Sequence, residues 1–215
     1  MKKNLSVYGR EDSLGGIMGS DEKDLQTRIE RAIHEDVATV PYDPSWPELF
    51  EEEKEHLREI LPADLIRRIE HFGSTAVPGL AAKPVIDMLV EVLSLDEVRE
   101  IAVSLLEAQG YDFFWRPTHG DDGPPFYAWF IKRNSKGIRT HHIHMVEKDF
   151  EHWDGLLFRD YLICHPETAL EYQILKMRLA SRYPNDRVAY TDGKSEFIAS
   201  VMERCLAQKN TVRHS

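Results

Sequence analysis

The sequence predicts an α+β fold: a small mixed β-sheet flanked by helices, followed by a C-terminal helical half. Three observations carry this prediction. Two apolar runs, Leu65 to Phe72 and Val85 to Val92, bracket a turn of small residues. A second pair, Phe126 to Lys132 and Ile138 to Val146, encloses Asn134-Ser135-Lys136-Gly137, which reads as a hairpin turn. Beyond Glu151 the pattern is helical to the end, punctuated by Pro166 and Pro184.

Taken in order, residues 1–20 are polar and glycine-bearing and read as a mobile tail. Residues 21–40 form a helical extension, with Leu25, Ile29, Ile33 and Val37 at helical spacing. The α+β core, 41–150, opens on a proline-punctuated stretch in which Ser45 serves as N-cap and Pro47 sits in the first turn. That helix runs to about Ile60, with Leu49, Phe50, Leu57 and Ile60 as its apolar stripe. Glu51-Glu52-Glu53 reads as its solvated face. Ser94 caps a helix over Leu95 to Gln109, closed by Gly110, and Tyr111 to Trp115 is a strand. Arg116 to Pro125 is a loop of a length that often carries function. Helices at Glu151 to Cys164, Glu167 to Tyr183 and Asp186 to Ala207 make the helical half, 151–208, and 209–215 reads as a frayed tail.

Composition narrows the function classes. The 215 residues are 42% hydrophobic and 30% charged, with a formal net charge of -10. An acidic chain of this kind lacks the basic face that duplex nucleic acid requires, although a small basic pocket remains open to it. No apolar run reaches bilayer length, and the N-terminus lacks the apolar core of a signal peptide, so a cytoplasmic protein without a membrane partner is expected. Cys164 and Cys205 have no metal-ligand spacing and read as two reduced thiols.

The core is organised around residues 71–90: a strand end, the turn Gly73-Ser74-Thr75, a short link, and a strand interrupted by Asp87. Gly73 permits positive φ and close backbone approach. Ser74 and Thr75 offer hydroxyls and can cap a short helix whose N–H groups would face an anion. Asp87, set among Val85, Ile86, Met88, Leu89 and Val90, must be paired or must hold a cation. The sharp reading is a phosphate cradle beside a metal-holding acid. The plainer one is a capped turn with a salt-bridged aspartate.

The run Gly-Ser-Thr-Ala-Val-Pro-Gly-Leu-x-Ala-Lys-Pro-x-Ile-Asp, residues 73–87, resembles the signature of the GrpB family. The likeness continues from about Tyr42 to about Ile198 and does not reach the first forty residues. It implies a sheet similar to the nucleotidyltransferases of the polymerase-β type. There a Gly-Ser turn precedes a strand with two acids at alternate positions, which hold magnesium against a triphosphate. This chain has the turn and the first acid, but Leu89 stands at the second acid position. Glu91 does not replace it, because four residues of strand span roughly 13 Å, too far for ligands of one ion.

A second constellation compensates. In His141-His142-Ile143-His144, His142 and His144 point to one face, with α-carbons about 7 Å apart. Together with Asp87 they would offer two imidazoles and a carboxylate, a set suited to zinc or manganese more than magnesium. The alternative is that they bind a phosphate or line an apolar face. The family resemblance implies that His142 and His144 belong to its site.

Lys83 adjoins the signature and is the leading phosphate-binding candidate. Among Lys132, Arg133, Arg139, Arg159, Lys176 and Lys194, each reads as surface charge or an ion pair except Arg159, whose segment, Leu157-Phe158-Arg159-Asp160-Tyr161-Leu162, resembles the family's helical half. The resemblance brings Lys176 and Lys194 toward the helical half of the site, and places Ile163 where the family usually has arginine.

The expected function is therefore a nucleotidyltransferase-like enzyme. Its nucleotide, or another phosphorylated small molecule, would lie at Gly73, Ser74, Thr75, Lys83, Arg159 and Lys194. A divalent metal (magnesium, manganese or zinc) would sit at Asp87, His142 and His144, with Asp87 and Lys83 assisting the chemistry. The alternatives are a non-enzymatic module tied to coenzyme A metabolism, which the family resemblance raises, or a metal-dependent hydrolase.

Overall fold

The computed structural model describes residues 26–32, 38–118 and 124–212. The 1–20 tail, part of the 21–40 extension, residues 213–215 and the centre of the 116–125 loop lie outside the described residues.

Five strands form one sheet: β1 (Ile66–Phe72), β2 (Ile86–Val92), β3 (Asp112–Pro117), β4 (Phe126–Arg133) and β5 (Arg139–Val146). Their spatial order is β1-β2-β5-β4-β3. β2 and β5 are parallel, and the other neighbours are antiparallel, so the sheet is mixed as the sequence predicts. Strand alternation gives each face its own residues. Met88, Val90, Phe130, Ile143 and Met145, all fully buried, face one layer of helices. Each contributes about 1.5–3 kcal/mol by leaving water. Asp87, Leu89, His142, His144, Tyr127 and Trp129 alternate with them and face the other way.

Helix α1 (26–32) packs at the rim of the sheet: Arg28 lies 2.9 Å from Glu107, and Arg31 donates to the Gly137 carbonyl at 2.8 Å. Helix α2 (Trp46–Ile60) seats Trp46, Phe50 and Leu57 in the core. Its start differs from the prediction. Ser45 is already helical in backbone and makes no side-chain cap, because Asp43 accepts from both its amide (2.9 Å) and its hydroxyl (2.8 Å). Glu53 also departs from the solvated face assigned to it. It is 2% exposed, accepts from the Tyr111 hydroxyl at 2.5 Å, and pairs with the Lys132 ammonium.

Ser94 Oγ accepts from the Glu97 amide at 3.4 Å, so the predicted cap is present. The helix behind it is divided into α3 (Leu95–Glu97), a π-helical turn (Val98–Ala102) and α4 (Val103–Ala108).

The helical half comprises a 3-10 turn (Glu151–Trp153), α5 (Asp154–Cys164), α6 (Pro166–Arg182), α7 (Arg187–Asp192) and α8 (Ser195–Val212). One helix was expected where α7 and α8 lie. The break falls at Gly193, where a Cβ would stand 2.5 Å from the end of the Leu179 side chain on α6. Helix α8 also continues through Val212, into the stretch read as frayed. Val77 and Leu80, just beyond the Gly73 turn, pack against Leu162 and Tyr172. The turn is thus the seam between sheet and helical half. Cys164 is exposed, Cys205 is buried, and neither is in a disulfide. Among the described residues, no helix is long and apolar enough to cross a membrane.

Candidate functional site

Asp87 stands mid-sheet, opposite Phe72 on β1 and His142 on β5. Gly73 closes over it. A Cβ built at Gly73 would lie 2.5 Å from Asp87 Oδ2, and φ there is +72°. Both facts demand glycine.

Asp87 Oδ1 accepts from His142 Nδ1 at 2.8 Å, while Arg139 Nη1 donates to His142 Nε2 at 2.8 Å. A guanidinium only donates, so Nε2 is the acceptor and the His142 proton sits on Nδ1, aimed at Asp87. Burial, and then the charges of Arg139, Lys83 and Arg187, push the His142 pKa well below the usual range. The ring is neutral.

His144 lies across from Leu89 on β2 and Trp129 on β4. Phe72, Tyr127 and His152 surround it, with ring centroids at 5.3, 5.5 and 5.7 Å. Burial, and then His152 and His142, hold it neutral. Its Nδ1 is buried and has no hydrogen-bond partner. Asp87, His142 and His144 each offer one ligand atom, all within 4.8 Å of one another.

This set fits a divalent transition ion. Ligands at about 2.0–2.2 Å from one ion stand up to roughly 4.3 Å apart, so a small closure suffices. Asp87 can ligate as it stands. His142 could ligate through Nδ1 only with its proton moved to Nε2, which breaks the Arg139 hydrogen bond; with the proton on Nδ1 it orients Asp87. Leu89 is fully buried against Tyr127 and Val146, so an apolar contact replaces the second acid. Glu91 is paired with Arg68 at 3.4 Å.

On the helical side a group of cations converges on Asp87. The Lys83 and Lys194 ammonium groups lie 5.4 and 4.8 Å from the Tyr190 ring centroid. Lys176, 2% exposed, donates to the Ala81 carbonyl at 2.5 Å and lies 4.9 Å from the Tyr172 ring. Burial raises the Tyr172 hydroxyl well above its ordinary value, and the neighbouring Ser74 side chain opposes that shift. Burial lowers Lys83 well below its ordinary value, helped by Arg187 and Lys194. Burial, and then Lys194, lowers Lys176 to about 7. Burial lowers Lys194 to about 8, with Arg187 adding to it. In all three cases Asp87 is the charge that opposes the shift. The lysines are crowded and desolvated, and among the described residues no carboxylate forms a salt bridge with them.

The structure thus gathers Gly73, Ser74, Lys83, Asp87, His142, His144 and Lys194. Thr75, 1% exposed, is engaged elsewhere: its hydroxyl lies 3.0 Å from His71 Nε2 and 3.5 Å from the Val85 carbonyl, fastening the turn to both strands. Arg159 donates to the His71 carbonyl (2.7 Å) and to Asp160 (2.7 Å), and lies 3.4 Å from Glu70, which anchors α5 to β1. Lys132 and Arg133 pair with Glu53 and Asp112. Sequence reasoning undervalued Arg139 and Lys176 and passed over Tyr172 and His152. A signal for two of them existed: Tyr172 and Lys176 are four apart, and so share a helix face.

A family model described as GrpB protein matches residues 36–204. The UPF0157 protein YqkA of Bacillus subtilis is 40% identical over 168 residues, 78% of this chain and 46% of YqkA, so the match spans about half of that relative. The glutamate-rich protein GrpB of Alkalihalophilus pseudofirmus is 36% identical over 168 residues, 78% of this chain and 94% of that protein. The crystal structure of the conserved protein GrpB from Enterococcus faecalis superposes with a TM-score of 0.68 at 34% identity, covering 80% of this chain and 99% of that one. With its signature turn folded against Asp87 and its length so matched, this chain belongs to the GrpB family.

Proposed function

We propose that this protein binds a nucleoside triphosphate, or a similarly phosphorylated small molecule, with one divalent metal, and transfers its nucleotidyl group to a small acceptor. One observation carries the reading: in a chain of net charge -10, Lys83, Lys176 and Lys194 gather around a single carboxylate, Asp87, with Arg187 beside Lys83 and Lys194. A site with that imbalance is completed by a ligand of several negative charges. Asp87 and His144, with His142 once its proton has shifted to Nε2, would hold the metal. When bound, the metal supplies charge neutralisation at the phosphoryl oxygens. Lys83 and Lys194 bind the phosphates, Ser74 closes the turn beside them, and the His142 hydrogen bond keeps Asp87 in place. An acceptor hydroxyl or amine attacks the α-phosphorus in line. The bond to the bridging oxygen breaks, pyrophosphate leaves, and the acceptor proton passes to solvent or a neighbouring base.

The buried Leu89 favours a second reading, a nucleotide-binding module without catalysis, since it removes a ligand position. Thermal-shift titration with ATP, GTP, CTP and UTP, each with magnesium, manganese or zinc, tests binding. Asp87→Asn is expected to abolish the metal-dependent part of the shift, and an unchanged shift refutes the role of Asp87. Pyrophosphate release with hydroxyl and amine acceptors then separates enzyme from binder.

A further inference from the structure

Two donors on the same face of the sheet remain without acceptors among the described residues. Arg116 on β3 has its guanidinium 4.8 Å from the Trp129 ring centroid, and no carboxylate pairs with it among the described residues. Trp129 Nε1 on β4 is buried and has no hydrogen-bond partner. Buried donors are almost always satisfied, and an exception calls for a missing water or ion. A guanidinium stacked over an indole ring whose own N–H has no partner calls for an oxyanion within reach of both. The surroundings agree. Arg116 lowers the pKa of His152, His144, His142 and Tyr127, so its charge reaches that whole wall and meets neutral rings. His152 lies 4.5 Å from the Tyr127 ring and 5.7 Å from the His144 ring.

This place differs from the lysine cluster. Lys83 lies just before β2, on the side of the helical half. Arg116 lies on the opposite edge strand, three strands from β2, in register with Tyr127.

We propose that Arg116 and the Trp129 indole N–H form a second anion subsite, which takes a carboxylate or phosphate group of a small molecule. It rests on the nucleotide reading only for its purpose: if the lysines hold the donor phosphates, this subsite holds an anionic group on the acceptor. Anion binding itself stands without that reading.

The test uses the full chain and two probes, inorganic phosphate and acetate, followed by the Trp129 indole N–H signal in ¹H–¹⁵N spectra, assigned with Trp129→Phe. Saturable movement of that signal with either probe is expected. Arg116→Gln, with its fold confirmed by the rest of the spectrum, is expected to weaken the response about tenfold. The double variant Lys83→Ala/Lys194→Ala is expected to leave it in place. No movement with either probe, or movement that Arg116→Gln does not weaken, overturns the proposal. Loss in the lysine variant alone assigns the anion to the lysine cluster and overturns it too. Failure of the nucleotide reading shows separately, as absence of any ATP response in the wild type with the Trp129 response intact.

Discussion

Gly73 touches Asp87: the missing Cβ of one is the space occupied by Oδ2 of the other, with a separation of 2.5 Å if it were filled. Backbone and carboxylate are therefore fitted to each other. Gly73→Ala is expected to cost about 1–3 kcal/mol through its positive φ, and to displace the carboxylate. Denaturant unfolding measures the first effect, and loss of the manganese-dependent thermal shift measures the second. A fully stable, metal-responsive alanine variant would contradict the fit.

Lys176 gives stability an unusual dependence on pH. Its pKa falls from 10.5 to about 7 on folding, chiefly through burial. Between those values the unfolded chain holds a proton that the folded chain lacks, so stability rises with pH across that window. Below about 7 both states are protonated, and the penalty is present in full. Lys176→Met is expected to flatten the curve, gaining most against wild type near pH 6 and least near pH 10. Urea unfolding at several pH values checks it.

Anion binding is expected to take up protons. Lys83, Lys176 and Lys194 all lie below their ordinary values, and a polyphosphate restores their charge. Near pH 8, calorimetry of ATP binding in buffers of different ionisation enthalpy should show net uptake. Affinity should fall as pH rises through about 7 to 8, the values held by Lys176 and Lys194. Buffer-independent heats would count against a lysine-lined phosphate site.

Glu53 holds α2 to the sheet. It is 2% exposed and shared between Tyr111 and Lys132, whose side chain is 33% exposed. Glu53→Ala strands the Tyr111 hydroxyl and is expected to cost about 2–3 kcal/mol, less than a fully buried pair because Lys132 can reach water. The shift in urea midpoint reports it.

The sheet and the heart of the site were legible because strands alternate with period two. That rule alone put His142 and His144 on one face, and an adjacent strand brought Asp87 to them. The aspartate's neighbours from the helical half were legible only in part: the family resemblance pointed to Lys176 and Lys194, whereas Tyr172 and Tyr190 reach the site through the packing of the helical half against the turn, which no local pattern encodes. Glu53 was misread for the same reason: three consecutive glutamates look alike until Tyr111 and Lys132 arrive from distant strands. Arg159 shows the converse. It looked like a ligand-binding arginine, and the fold commits it to Glu70, Asp160 and a carbonyl.

The parallel pairing of β2 with β5 sets the order in which the molecule is completed. Asp87 and His142 are 55 residues apart, with two strands and the α3–α4 region made between them. A nascent chain leaving the ribosome carries Asp87 long before its imidazole partner exists, on a strand whose second edge is still open. The carboxylate stays hydrated until β5 slots in, and only then does its desolvation fall due. Fragments that stop short of β5 should therefore hold a sheet edge prone to pairing with other copies, and no pocket at all.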